Sequence, residues 1–418
     1  MGTFHDQGVE VGAKTNHEQA ATQLEPERNI APNDEDFVSL VLPCLDEGAS
    51  VGLCVREATE TMAMAGISGE VLVVDNGSTD ASEQIARSAG ARVIREKRPG
   101  YGNALLAGIN AARGSIVVMA DADWSYDFRR LPDLIEPIRD GSADMVLGTR
   151  MAAATRSSMP LLHRYVGSPL LTFLVSRAAR GLAVTDSQSG YRAFRKEAAL
   201  KLGLQSGGME FASEMLIRAG NAGLRISNVS TGYRPRIGKS KLSAFADGWR
   251  HLKLIFLLAP NLLLVAPGMA LFLVGLLLLL LSFVSPAGLV VGSIKWQPIF
   301  FSSIAIILGL QSTLVGMTLA HRSPLVTTDT RSRFRFVGSA GFPARCVAIG
   351  IAAFLLGLAL DGYLFARWLS ASSPAGRALV LASAAQTLLI AGGSLVSFGF
   401  VSWCLNSWSS PASSNGHA

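Results

Sequence analysis

Between residues 37 and 150, short apolar runs alternate with helix-like stretches. "FVSLVLP" leads into a helical pattern reaching about Ala65, "EVLVVD" into "STDASEQIARSAG", and "ARVIRE" into "YGNALLAGINAARG". "SIVVMAD" and "ADMVLGTR" read as a fourth and a fifth strand. Such alternation predicts an α/β unit, a mostly parallel sheet covered by helices. From about residue 260 the pattern changes. Segments 260–284, 296–320 and 378–405 carry no charged residue, and 346–369 holds only Asp361 and Arg367. Each is long enough to cross ~30 Å of hydrocarbon at ~20 residues per span. Four crossings return both ends of this region to one side.

Between the two halves lies "LSAFADGWRHLKLIFLLAP". Phe245, Trp249, Leu252, Leu254 and Ile255 fall broadly on one side of a helix, with Arg250, His251 and Lys253 nearby. This predicts a juxtamembrane amphipathic helix over 244–259, lying at the membrane surface. The other reading makes it an extension of the first span.

Charge adds orientation. The 321–345 connection contains Arg322, Arg331, Arg333, Arg335 and Arg345, whereas the opposite connections hold mainly Lys295 and Arg377. The positive-inside rule therefore puts the N-terminal unit in the cytoplasm of a multi-pass membrane protein. Asp361 in the third span reads either as a functional residue or as one near the interface or packed against a neighbouring helix, the second being favoured. The net charge of +6 suits anionic phosphates or lipid headgroups. No signature of a nucleic-acid partner is present. The four cysteines form no C-x-x-C pair, which argues against a disulfide framework or a zinc site. Residues 1–35 are polar and predict a disordered tail, neither a signal peptide nor an anchor, and Asp6 breaks a myristoylation pattern.

In α/β sheets ligands bind at the carboxyl ends of strands. Here those ends carry "CLDE", "DNGSTD", "DADWSYD" and "GTR". Asp121 and Asp123, directly after a buried apolar run, can converge on one divalent cation. Mg²⁺ takes one or two carboxylates together with phosphate oxygens and water, and it neutralises a departing diphosphate. Asp127 precedes a helix-like segment, so it is either a helix cap or a site residue. Asp75 suits a nucleobase or ribose, with Ser78 or Asp80 as caps for the helix that follows. Asp46 and Glu47 sit equivalently after the first strand. "KRPGYGNALLAG" is a glycine-rich turn into a helix N-terminus, favourable for phosphate. It lacks the Walker A ending, and no strand-linked G-x-G-x-x-G occurs, so a dinucleotide cofactor is not expected.

The ordered series "LPCLDE", "VVDNGSTD", "RPGYGNAL", "DADWSYD", "GTR", "DSQSGYRAF" and "GMEFASEM" resembles family 2 inverting glycosyltransferases of the GT-A fold. More narrowly, it is similar to polyprenyl-phosphate glycosyltransferases, the dolichyl-phosphate glucose and mannose synthase group. The resemblance covers roughly residues 37–260. It implies a GT-A domain over 36–243, a four-helix membrane domain over 260–405 and a C-terminal tail over 406–418.

The resemblance also implies roles. Pro43, Asp46, Glu47 and Asp75 would frame the nucleotide sugar, with Gly77, Ser78 and Gly102 beside them. Asp121 and Asp123 would bind Mg²⁺ or Mn²⁺ with the diphosphate. Asp123, Arg150 and Arg192 would form the catalytic set, Arg192 supporting the site. Arg150, Arg164 and Ser168 would meet the acceptor phosphate. Glu210 and Glu214 share a helix face, towards either sugar or solvent. Arg236, Lys239 and Lys241 would close over phosphates; a basic cluster attracted to anionic lipid is the alternative. Two departures stand out. Ser125 occupies a position where many relatives carry a metal-holding Gln, and "SGYR" replaces the usual Gly-Phe/Leu-Arg. No Gln-x-x-Arg-Trp is present, so repeated polymer extension is not expected.

The implied reaction is inverting transfer of a single hexose from a nucleoside-diphosphate sugar, UDP-glucose first and GDP-mannose next, to a dolichyl or undecaprenyl phosphate. A phosphate acceptor is already anionic, so no catalytic His is required. The rivals are another lipid or a protein as acceptor, and a non-catalytic sugar-nucleotide sensor or lipid-linked-sugar translocase. A homo-oligomer is compatible with this reading.

Overall fold

The computed structural model describes residues 36–150, 168–180, 182–238, 244–291, 294–323, 325–370 and 375–409. The expected tail over 1–35 and the expected site residues Arg164, Lys239 and Lys241 lie outside these residues.

The five expected strands form: β1 Val38–Cys44, β2 Gly69–Asp75, β3 Arg92–Arg95, β4 Ile116–Met119 and β5 Met145–Thr149. Two more, β6 Arg192–Arg195 and β7 Ile226–Ser230, complete a seven-stranded sheet in the order β3-β2-β1-β4-β6-β5-β7. Strand β6 pairs antiparallel with both β4 and β5, while the β1–β2, β1–β4, β2–β3 and β5–β7 pairs are parallel. Every strand but β6 therefore ends on the same edge. This is the expected GT-A-like arrangement, a mostly parallel mixed sheet followed by four apolar helices.

Successive strand residues face opposite sides, and the sheet is buried on both. On one face Leu40, Leu42, Ile116 and Val118 pack with helices α1 Val51–Met64, α2 Ser82–Ser88 and α4 Leu131–Arg139. On the other face Val41, Leu72, Val117 and Met119 pack with α3 Tyr101–Ala111, α5 Ser168–Ala178, α7 Phe211–Asn221 and α8 Ala244–Leu258. Continuous burial explains why these strands read as unbroken apolar runs. The short helix α6, Lys196–Lys201, follows β6.

Helix α8 departs from the expectation. Leu254, Ile255, Leu258 and Ala259 belong to the apolar cluster of the sheet's second face, and His251 is buried beside them. Trp249, Arg250, Lys253 and Leu257 lie on the exposed side. The helix thus buries a face containing His251 against the α/β unit, and its exposed side mixes Trp249 and Leu257 with the basic residues. The α/β core runs past residue 243, as far as Ala259.

Four helices are long and apolar enough to cross a membrane: Asn261–Val284, Ile299–Arg322, Gly341–Leu369 and Arg377–Ser407. The first comprises a π-helical stretch Asn261–Val265 and α9 Ala266–Val284; the others are α10 Ile299–Arg322, α12 Gly341–Leu369 and α13 Ala375–Ser409. The last helix continues through part of the expected tail. A hairpin of β8 Leu289–Val291 and β9 Ile294–Trp296 links the first two spans, and α11 Thr328–Arg333 lies between the second and third. Helices α12 and α13 approach so closely that a Cβ on Gly350 would lie 2.7 Å from the Gly392 carbonyl. Hydroxyl contacts join α10 to α13: Ser303 meets Ser383 at 2.7 Å and accepts from Thr387 at 2.8 Å.

Candidate active site

Strand β4 is buried throughout, and its apolar run ends at the rim in Asp121 and Asp123. Asp121 accepts the Tyr101 hydroxyl at 2.8 Å. Asp123 accepts the Ser125 N–H at 3.0 Å, and its other oxygen lies 3.6 Å from Arg236 Nη1. Burial and the neighbouring Asp123 charge push the Asp121 carboxyl up to about 6, against the pull of Tyr101, Arg150 and Arg236. Two crowded carboxylates held this way fit a divalent cation, which relieves the repulsion. Among the described residues no group of three or more His, Cys, Asp or Glu is assembled for a metal. Two carboxylates are what these residues would offer a cation, and substrate oxygens and water complete such a shell for Mg²⁺ in general. The Ser125 side chain is buried, and its backbone N–H and C=O go to Asp123 and to Arg234.

The loops after β1 and β2 are stitched together. Asp46 adopts a positive φ of 47°, donates its N–H to Ser78 Oγ at 3.0 Å and accepts from the Thr79 N–H at 2.6 Å. The Thr79 N–H holds the Asp46 carboxyl below its ordinary value. Asp80 accepts from Gly48 and from the Ser82 N–H, so it ties the same loop to the start of α2. Glu47 donates its N–H to Ser82 Oγ at 2.8 Å and accepts from Arg236 Nη2 at 3.2 Å. Asp75 is buried and accepts from the Gly77 and Ser78 N–H groups at 3.4 and 3.3 Å. Pro43 pairs with Val74 at the end of β1. Asn76, given no part by sequence reasoning, latches the approach to α3. It donates to the Glu96 and Arg98 carbonyls and accepts the Gly100 N–H at 2.7 Å.

On the other side of β4, Arg150 follows β5 and is buried against Asp186. Its Nε and Nη2 donate to the two carboxylate oxygens at 2.8 and 3.0 Å, and its own N–H reaches Asp186 at 3.3 Å. Burial opposes the Asp186 charge, but Arg150 outweighs it and holds that carboxyl below its ordinary value. The Arg150 guanidinium lies 5.4 Å from the Tyr233 ring centroid. Nη1 is the one nitrogen of the fork not bonded to Asp186.

Arg192 is wholly buried, and its Nε, Nη1 and Nη2 donate to the carbonyls of Ser189, Ala212 and Ser187 at 2.9, 2.7 and 2.9 Å. These three bonds clamp the 187–189 turn to α7, in keeping with a supporting place in the site. Gly102 faces protein: a Cβ there would lie 2.1 Å from the Ser206 carbonyl, and Asn103 donates its N–H to Gly207 at 3.1 Å. The glycine-rich helix start thus packs against the 206–208 loop instead of standing open to phosphate. Glu214 does not face sugar or solvent. It is fully buried, accepts from the Gln205 and Ser206 N–H groups, and pairs with Arg218 at 2.7 Å. Glu210 precedes α7 and has one buried oxygen without a hydrogen-bond partner.

Asp127 acts as a cap. It accepts the Arg129 N–H at 3.2 Å and also binds Arg234 at 2.8 Å. Arg234 bridges onward to Glu57 at 2.9 Å and lies over the Trp124 ring at 4.7 Å. The 231–237 strap so secured runs beside the acid loop, donating the Arg234 N–H to Ser125 and the Ile237 N–H to Asp123. This strap carries Arg236 to Asp123 and Glu47. Gly190 also went unassigned. A Cβ there would lie 2.9 Å from the Tyr101 hydroxyl and 3.0 Å from Asp121, so a side chain at this position presses on both. The N-terminal residue of α5 is Ser168.

Comparison with known proteins agrees with this arrangement. Residues 39–203 match the profile described as Glycosyl transferase family 2. A low-salt glycan biosynthesis hexosyltransferase of Haloferax volcanii, Agl6, is 34% identical over 379 residues, covering 90% of this chain and 89% of its own. A dolichyl-phosphate hexose transferase of the same organism is 37% identical over 183 residues, 43% of this chain and 76% of that protein. Among solved structures, glucosyl-3-phosphoglycerate synthase of Mycobacterium tuberculosis with Mn²⁺, UDP-glucose and phosphoglyceric acid superposes with a TM-score of 0.45. It is 26% identical, over 56% of this chain and 84% of that one.

Proposed function

Because the chain belongs to glycosyl transferase family 2 and is a glycosyltransferase, we propose that it moves a single hexose from a nucleoside-diphosphate sugar to a polyprenyl phosphate at the cytoplasmic membrane face. UDP-glucose is the favoured donor and GDP-mannose the next. The observation that carries this reading is the Asp121–Asp123 pair, set beside Arg236 on a core that shares its apolar cluster with α8, the helix leading into the first span. The relative named as a dolichyl-phosphate hexose transferase supports the acceptor class.

Asp121 and Asp123 would hold Mg²⁺ or Mn²⁺, which would supply charge neutralisation for the leaving nucleoside diphosphate. Asp75, with the Asp46–Thr79 and Glu47–Ser82 stitches, fixes the loops that receive the nucleotide. Arg236 lies beside the carboxylate pair and meets the diphosphate. Nη1 of Arg150 meets the acceptor phosphate, whose oxygen attacks the anomeric carbon in line and inverts it. The C–O bond to the diphosphate breaks as the new one forms. The acceptor is an anion near neutral pH, so rate comes from positioning and charge stabilisation rather than from a strong base.

Two contacts support placing the catalytic unit on the arginine-rich side. Ser323, just past the second span, donates to the Leu257 carbonyl of α8 at 3.2 Å, and Arg180 lies 3.6 Å from Asp329 in the 321–345 connection. That connection carries the positive-inside signal.

The test uses membranes containing the full chain, polyprenyl phosphate and, separately, labelled UDP-glucose, GDP-mannose and UDP-N-acetylglucosamine. One donor should give an organic-extractable product that is lost with EDTA and in Asp123→Ala. No lipid product from any donor, with folded protein, overturns the acceptor assignment.

A further inference from the structure

A series of buried and partly buried hydrogen bonds joins the membrane-entry helix to the arginine beside the acid pair. His251 on α8 is 4% exposed and its Nδ1 lies 2.9 Å from Ser213 Oγ on α7. Ser213 has no exposed surface and accepts from Gln188 Nε2 at 3.2 Å. The Gln188 N–H donates to Asp186 Oδ1 at 3.2 Å, and Asp186 holds Arg150. The same Gln188 amide nitrogen donates to Ser187 Oγ at 3.0 Å, and Ser187 Oγ meets Thr172 of α5 at 3.0 Å. Four helix and loop segments are thereby keyed to one another at a point that the apolar core alone would leave unregistered.

Ser213 Oγ accepts from Gln188 and shares the 2.9 Å contact with His251 Nδ1, the His251 tautomer setting which of the two donates. A buried polar group left without its partner costs far more than a surface one, so the set holds as a unit or loosens as a unit.

We infer that His251 is a positioning residue for the acceptor-binding arginine. Through Ser213 and Gln188 it sets the Asp186–Arg150 pair in register with the helix that enters the membrane. This rests on the proposed role of Arg150 towards the acceptor phosphate, and it adds the element that aligns that phosphate with the sugar. A polyprenyl phosphate is held by its tail in the bilayer, so the arginine's height above the membrane matters for this acceptor. A sugar nucleotide arriving from solution has no such constraint.

The experiment compares wild type, His251→Leu, His251→Asn and Ser213→Ala as full-length protein in lipid nanodiscs. KM is measured separately for donor and polyprenyl phosphate, and hydrogen exchange is followed over residues 182–192. His251→Leu should raise the acceptor KM about tenfold, the effect of one lost buried hydrogen bond, with the donor KM within about twofold. Exchange over 182–192 should rise. His251→Asn, whose side-chain oxygen takes the place of Nδ1, should restore both. Adding Ser213→Ala to His251→Leu should cost less than the sum of the two single changes, because both remove the His251–Ser213 link. Equal changes in both KM values, or no rescue by Asn, would overturn the inference. If wild type transfers no sugar to polyprenyl phosphate, the functional reading fails by itself. The positioning claim then stands or falls on exchange, and unchanged protection of 182–192 in His251→Leu sinks it.

Discussion

The two sides of the acid pair are built differently. The loops after β1 and β2 are held by exposed or partly buried stitches between loops, as where Asp46 takes the Thr79 N–H and Asp80 takes those of Gly48 and Ser82. The region around β5 and β6 is held by buried charge, with Arg150 on Asp186 and Arg192 on three carbonyls. The first side can adjust to a soluble ligand by exchanging hydrogen bonds with water. The second cannot, because each charge there depends on a fixed partner. In the proposed reading, a rigid, buried arginine serves a ligand delivered at a fixed height by a membrane, and α8, packed into the same core, would set that height.

Breaking the buried pair should give the largest effect. Asp186→Ala strands the Arg150 charge and should cost about 3–5 kcal/mol of stability, read as a lower thermal midpoint in detergent. Asp46→Ala, on the other side, should leave the midpoint unchanged and raise the donor KM. Equal midpoints for the two variants would erase the contrast. Next comes the membrane-entry helix. Ile255→Ala empties a core position and should cost about 2–5 kcal/mol, whereas Trp249→Ala, on the exposed side of the same helix, should change the midpoint by less than about 0.5 kcal/mol.

The acid pair between the two sides gives a pH signature. The proposed metal would need both carboxylates ionised, and burial and the Asp123 charge push Asp121 up to about 6. Metal affinity, followed by Mn²⁺ spin resonance, should therefore be level above pH 6 and fall about tenfold per unit below it. In metal-free protein the sign reverses. The folded value exceeds the ordinary 3.8, so Asp121's contribution to stability falls as pH rises from about 4 to about 6. A smaller effect than breaking the buried pair is expected from Gly190→Ala. The added methyl presses on Tyr101 and Asp121, and it should lower kcat/KM about tenfold, a cost of about 1.4 kcal/mol.

Legibility in the sequence followed the same division. β1 to β5 announced themselves as apolar runs, and Asp121 and Asp123 as acids placed where such a run ends. β6 did not, because "RAFR" reads as a charged loop until Arg192 is seen with its charge distributed over carbonyls. β7, "ISNVS", lacks the apolar character of a strand buried on both faces. The four spans were plain from composition, whereas the buried face of α8 was not. His251 looked like part of a polar edge, and only tertiary packing turns it inward. Asp186, Gly190 and Tyr101 are joined to their partners across 36, 69 and 20 positions, and no local pattern encodes such pairings. The glycine-rich helix start misled in the opposite direction: its glycines make room for the 206–208 loop, a neighbour that could not be foreseen from the turn itself.

The most direct test of this division is a pair of Michaelis constants. KM for the sugar nucleotide and KM for the polyprenyl phosphate would be measured in Asp75→Asn and Arg150→Lys, in lipid nanodiscs with saturating metal. The account predicts that Asp75→Asn raises the donor constant alone and Arg150→Lys the acceptor constant alone. If both substitutions shift the same constant, the two sides do not serve two substrates, and the account is wrong.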